Sequence, residues 1–342
     1  MHTPHESIFL GSVRSFFRAL FALLGISLGC GIIVILSALV LGSNYYPIKT
    51  EPIIAPNAEG ERTPLSSFTP VILRIDLHGE IGKDDLTTEK FESLLIDSRS
   101  GFLGRDRVKG ILLHLDTPGG SVIDTDGIYR ALLHYKERYQ VPVYAYIDGF
   151  CASGGMYVAC AADQIHATYP SVIGSVGVLM RPAFNFFETM NKVGVSALTL
   201  TEGKDKDALN PFRAWKPNEE SSLKGILSAL YERFVTIVST ARPKLTKEEL
   251  VQEYGAHVFI AEKAAALGYI DKAGSDYSIA LQALLKAANL LNVPYQVVQL
   301  KLKHSLLEEI TRNHFLKSFS QWIGIAHSEE GFKNNLLYLY QP

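Results

Sequence analysis

No charged side chain occurs between Ala19 and Ile48, and within that run residues 20–41 are long enough to cross about 30 Å of hydrocarbon as a helix. This constrains the chain more than any other feature, because such a run either spans a membrane or is removed as a targeting signal. Val40-Leu41-Gly42 offers a small-residue cleavage site, but the apolar core of a cleaved signal is usually about 7–15 residues. The run therefore reads as a retained anchor. Arg14 and Arg18 lie on its N-terminal side, whereas Lys49 and Arg62 lie farther from it on the other. The positive-inside bias places the N-terminus in the cytoplasm and the bulk of the chain outside, as a single-pass protein of the inner (cytoplasmic) membrane.

The chain has 342 residues, and the roughly 270 beyond the run suffice for one large domain or two small ones. A formal net charge of −2 without a long basic tract gives no electrostatic reason to expect a nucleic-acid partner. The three cysteines are Cys30 inside the run and Cys151 and Cys160 around a short helical segment. They do not make a disulfide framework and read as buried small apolar residues. Cys151 as a nucleophile is the weaker alternative, because no cationic neighbour in the local sequence is placed to lower its pKa.

Residues 49–70 carry four prolines, scattered charges and no periodicity, the pattern of an extended linker. From Val71 onward β-branched apolar runs alternate with helical patterns. Residues 71–77, 110–115 and 141–147 read as buried strands, with helices near 87–96 and 122–136 between them. This is an α/β pattern with crossover helices. An apolar run at 171–179, a helix near 183–193 and a strand at 197–201 continue it. Residues 202–216 form a charged, Pro-containing loop. Helices are expected at 218–238, 247–254 and 262–267, the last ending at Gly268. A strand at 295–300 and a helix around 306–319 follow. The chain thus divides into an anchor (1–48), a linker (49–70), a folded domain (71–300) and a tail (301–342) in which no chemistry is apparent.

Chemistry concentrates in two glycine loops. Asp148-Gly149-Phe150-Cys151-Ala152-Ser153-Gly154-Gly155 follows an expected strand and precedes an apolar helix. A serine flanked by small residues at such a junction has an accessible hydroxyl beside the free N–H groups of the helix's first turn. Read alone, it is equally a nucleophile or a plain N-cap. Asp116-Thr117-Pro118-Gly119-Gly120-Ser121 has the same setting, and two such loops on neighbouring strands can face one another, one giving a nucleophile and the other an N–H for an oxyanion. By itself this second loop is also an ordinary Pro-Gly turn, and it matches neither phosphate-binding glycine motif. A serine needs a base. His114, His134, His166 and His257 carry no distinctive motif. A lysine can serve where burial or charge lowers its pKa, but Lys204 and Lys206 by themselves read as solvated charges. No clustered His/Cys/Asp/Glu set is visible, so chelators are expected to have no effect.

In their order these residues resemble the signal peptide peptidase A family, serine proteases of the ClpP/crotonase superfamily. The likeness is carried by Asp116-Thr117-Pro118-Gly119-Gly120, Ala152-Ser153-Gly154-Gly155, Ile173-Gly174-Ser175-Val176-Gly177-Val178, Lys206-Asp207 with Pro211 shortly after, and Gly255 to Gly274 with Ala264, Gly268 and Asp271. It spans residues 71–274. It implies an α/β fold of ClpP/crotonase-like repeated ββα units tethered by one N-terminal transmembrane helix, and 71–300 as the protease domain. It assigns Ser153 as nucleophile, Lys206 as general base, and the backbone N–H groups of Gly120 and Gly154 as oxyanion donors. Lys204 is a rival base, since an aspartate follows it too, but the spacing to Pro211 favours Lys206. A hydroxyl near the lysine amine, from Ser171 or Thr168, is also implied.

The implied substrates are signal peptides or other unfolded hydrophobic segments, with no metal or organic cofactor. The implied assembly is a homo-oligomeric ring in which Ser153 of one chain meets Lys206 of its neighbour. ClpP is the nearest competitor, but its histidine base would fall on residues 174–178, where there is none. Crotonase-type acyl-CoA enzymes need no serine nucleophile and are usually soluble. A membrane-tethered scaffold that keeps the fold without its chemistry is the non-enzymatic alternative.

Overall fold

The computed structural model describes residues 8–41, 50–62, 64, 66, 68–303 and 336–339. They fall into two units, one holding helix α1 and the other residues 50–303 with 336–339. Helix α1 spans Ile8–Leu41. Its stretch Gly11–Ile33 is long and apolar enough to cross a membrane by length and composition. Lys49 and the helix expected around 306–319 lie outside the described residues.

The second unit runs β1 Thr50–Ile54, β2 Val71–His78, α2 Thr88–Asp97, β3 Val108–Thr117, β4 Gly119–Ser121, α3 Val122–Tyr139, β5 Val143–Ala152, α4 Gly154–Ala159, β6 Gln164–Ala167, β7 Val172–Gly174, β8 Leu179–Met180, α5 Phe187–Lys192, α6 Ser221–Ala241, β9 Val258–Ile260, α7 Ala261–Leu267, α8 Tyr277–Ala287, β10 Gln296–Leu302 and β11 Leu336–Leu339. The main sheet has the order β1-β10-β2-β3-β5-β7-β9, with β6 also paired to β5. Strands β10, β2, β3, β5, β6 and β7 are parallel to their neighbours, and β1 and β9 close the two edges antiparallel. This is the α/β class expected. A parallel centre needs helical cover on both faces, and alternation along the strands supplies it. Leu73, Ile75 and Leu77 with Ile111, Leu113 and Leu115 join one core, while Ile72, Leu112, Tyr144 and Tyr146 meet α8 residues such as Leu281 and Leu284 in the other. Caps set the helix ends: the Asp276 carboxylate accepts from Ile279 N–H at 2.8 Å before α8, and Gly268, at φ 100°, ends α7.

Several local expectations change in the folded chain. The stretch 49–70 begins with β1, which pairs with β10 across most of the sequence. Residues 197–201 form no strand; they are exposed, and a strand without a neighbour leaves its ladder groups unpaired. The helix expected at 247–254 is a single π-type turn, Glu249–Tyr254, stopped by Gly255 at φ 50°. Strand β5 runs five residues past its expected end, through the glycine loop itself. Its first half pairs with β6 and its second half with β7, and this bend aims its C-terminal end.

Candidate active site

Strand β5 ends at Ser153, which turns the chain straight into α4. Ser153 has φ 53° and ψ −113°, a conformation that costs a residue with a side chain on the order of 1–3 kcal/mol. Its neighbours hold it there: the Ser153 N–H donates to the Gly174 carbonyl at 2.8 Å, and the Ser153 carbonyl accepts from Tyr157 N–H at 3.0 Å. The side chain is buried, yet it does not cap α4. Its Oγ donates instead to the Gly177 carbonyl, at a long 3.4 Å. A capping serine accepts from an amide of the first turn, as Ser121 does from Asp124 N–H at the start of α3. The Ser153 hydroxyl has no such duty, so the plain N-cap reading of this serine does not hold.

Glycine is required around it by close approach. A Cβ on Gly154 would stand 2.7 Å from Thr125 Oγ1, one on Gly155 would stand 2.8 Å from Thr117 Cγ2, and one on Gly119, at φ 95°, would stand 2.6 Å from Gly154 N. The last figure puts the two glycine loops face to face, as the pairing of β3 with β5 dictates. Gly120 is fixed from behind by Ile81, whose N–H donates to the Gly119 carbonyl and whose carbonyl accepts from Ser121 N–H, both at 2.8 Å. Alternation along a strand turns the N–H and C=O of Gly120 itself the opposite way. The third motif supports the serine from below: Gly174 and Gly177 supply both carbonyls named above, and Ser175 N–H is tied to the His257 carbonyl at 2.7 Å. Sequence reasoning missed the parts played by Ile81 and Gly177, because neither uses a side-chain functional group.

The structure brings Ser153, Gly120 and Gly154 together and leaves Lys206 apart from them. Lys206 is exposed, and neither its ammonium nor that of Lys204 has a hydrogen bond or ion pair among the described residues. Their loop is braced by Arg213, which bonds Asp207 at 2.6 Å and Glu219 at 2.7 Å. Ser171 and Thr168 are committed to each other at 2.7 Å, and Ser171 also donates to the Ile147 carbonyl at 3.0 Å. Cys151 is fully buried, and burial, with the Cys160 thiol adding to it, pushes its thiol up, the opposite of what a nucleophile needs.

Among the histidines, His134 and His257 are exposed. His114 joins Asp76 and His78 in a cluster whose ligand-type atoms lie within 4.8 Å of one another, a grouping that the sequence did not reveal. The Arg74 guanidinium occupies it, bonding Asp76 and His114, both at 2.7 Å. Burial raises the Asp76 carboxyl, but the hydrogen bonds and charges of His114 and Arg74 outweigh it and hold it well below the usual range. The residues therefore fit an ion-pair network already supplied with its cation.

Residues 136–291 match the model described as Peptidase family S49. The matched stretch contains Ser153 and the Lys206 loop and begins after the Gly119-Gly120 loop. Among curated proteins, the chain is 32% identical over 166 residues to a protease homologue of Synechocystis sp., covering 48% of this chain and 58% of that one. It is 30% identical over 190 residues to Protease 4 of Salmonella typhi, covering 54% and 28%. The chain spans about half the length of the curated relatives it matches first, at 58%, 58% and 48% of theirs. Among solved structures, a ClpP1 mutant from Listeria monocytogenes aligns with 63% of this chain and 96% of its own at 16% identity and a TM-score of 0.40.

Proposed function

With residues 136–291 matching the Peptidase family S49 model, we propose that the chain is a membrane-anchored serine endopeptidase with a Ser-Lys dyad. The observation that carries this reading is the strained, non-capping Ser153 at a strand-to-helix turn, seated against two facing glycine loops. Ser153 Oγ attacks the peptide carbonyl and Lys206 takes its proton. The N–H groups of Gly120 and Gly154 hold the oxyanion, Lys206 returns the proton to the leaving amine, and water then hydrolyses the acyl-enzyme. The substrates are signal peptides or other unfolded hydrophobic segments, and Gly11–Ile33 tethers the domain to the membrane they leave.

The dyad is completed between chains of a ring. A lysine base has to be desolvated before it can accept a proton, and Lys206 stands in water in the single chain. The segment leading to it is strongly apolar as well as exposed, with Leu198 at 84% and Leu200 at 85%, which is how an arm that seats on a neighbouring copy presents itself. The test mixes Ser153→Ala and Lys206→Ala chains, each inactive alone. In a closed ring with random mixing, roughly a quarter of the sites regain both groups. Mixed oligomers with no activity above either parent would rule out the shared dyad. A serine-directed fluorophosphonate that fails to label Ser153 would favour a catalytically silent scaffold.

A further inference from the structure

The glycine loop of the site has an occupant. Strand β11 lies antiparallel between β4 and β8, setting Leu337 opposite Ser121, Tyr338 opposite Gly120 and Leu339 opposite Gly119 on one side, and Leu336 and Leu337 opposite Met180 and Leu179 on the other. The other edge of β4 is already taken by Ile81, so the free N–H and C=O of Gly120 are the groups that Tyr338 meets. The Tyr338 carbonyl oxygen is pressed against the backbones of both Gly119 and Gly154, 3.0 Å from where a Cβ on Gly154 would stand. With Tyr338 registered opposite Gly120 and its carbonyl against Gly154, it lies beside the two glycines, Gly120 and Gly154, whose amides the proposed chemistry assigns to the oxyanion. The Tyr338 side chain is fully buried, stacked on Tyr157 with ring centroids 5.2 Å apart and tilted against Phe234 at 4.8 Å, and its hydroxyl donates to the Leu230 carbonyl at 3.0 Å. An aromatic ring with its one polar atom satisfied is a well-fitted anchor.

From this geometry we infer that the groove between β4 and β8 binds an extended peptide by strand addition, takes an aromatic side chain in the pocket of Tyr157, Phe234 and Leu230, and is held closed by the chain's own residues 336–339. The inference rests on the peptidase reading for what enters the groove. Main-chain pairing supplies sequence-tolerant affinity and the pocket supplies selectivity. A substrate aligned like β11 presents the carbonyl of its aromatic residue to the glycine amides and is cut on the carboxyl side of that residue. A competing segment of the same chain lowers the apparent affinity for such a peptide in proportion to the time it occupies the groove.

The test uses the full chain with Ser153→Ala, so that binding is read without turnover. Titrated into a fluorescein-labelled Leu-Leu-Tyr-Leu peptide, the Ser153→Ala/Tyr338→Ala chain binds about tenfold or more tightly than Ser153→Ala alone, as removal of an occupant present at least nine-tenths of the time requires. Replacing the peptide's tyrosine with glycine removes that gain. Leu337→Asp, which expels the same strand through a different side chain, gives the same release if Tyr338→Ala does not fold by circular dichroism. Equal affinity in folded proteins with and without the releasing substitution overturns the inference. With Ser153 intact, a released chain cleaves a Leu-Leu-Tyr coumarin amide faster than wild type does and faster than the Leu-Leu-Lys analogue. Tight, tyrosine-dependent binding with no hydrolysis by any Ser153-containing form supports the groove and its occupant while sinking the peptidase reading. Hydrolysis without any difference in binding does the reverse.

Discussion

Ser153 and its glycines act as one unit, and substitutions there separate chemistry from packing. Ser153→Ala is expected to abolish peptide hydrolysis with little change in melting temperature, since alanine is no larger and the hydroxyl's one bond, to Gly177 O, is long. Gly155→Ala acts oppositely. Its new methyl meets Thr117 Cγ2 at 2.8 Å, an overpacking that destabilises by about 1–3 kcal/mol, which a denaturant titration would read directly. The two lysines divide in an activity assay: Lys206→Ala removes turnover and Lys204→Ala changes it modestly, and comparable losses in both would overturn the assignment of Lys206 as base.

At the level of elements, the end of the matched domain is a clamp. The Asp271 carboxylate accepts from Arg242 Nη1 and from the Ile165 N–H, both at 2.8 Å, and Arg242 Nε reaches the Gly268 carbonyl at 2.9 Å. The order Gly268…Asp271 thus carries packing information: it locks α7 and the following turn onto β6. Burial raises the Asp271 carboxyl, but Arg242 and the Ile165 amide outweigh it and hold it below its ordinary value. Its contribution is therefore present at neutral pH and lost as pH falls through the carboxylate range. Asp271→Asn keeps the volume and loses the charge, and is expected to cost about 1.5–3 kcal/mol with peptidase activity retained in the folded fraction.

For the whole molecule, stability is expected to decline from pH 7 to pH 5. Burial, with Lys272 adding to it, lowers the His166 imidazole, and burial, with His114 adding to it, lowers that of His78. The unfolded chain therefore binds more protons than the folded one below the ordinary imidazole value of about 6.5, and stability rises with pH through that window. In denaturant midpoints, His166→Gln should show a smaller loss between pH 7 and pH 5 than wild type does; an unchanged slope would remove His166 from this account. For the anchor, protease added outside intact inner membranes should digest the chain beyond Pro70, and complete protection would reverse the orientation drawn from Arg14 and Arg18. The sequence alone determined the apolar span, the three central strands and a serine at a strand-to-helix junction, because each is written in the period or chemistry of neighbouring residues. Only the tertiary structure decided that β1 pairs with β10, that Ile81 turns Gly120 outward, that Lys206 stands apart from Ser153, and that Tyr338 fills the groove. Those outcomes depend on backbone groups and buried surfaces from segments far apart in the chain, and a hydrogen-bonding edge leaves no local signature of the partner that will cover it.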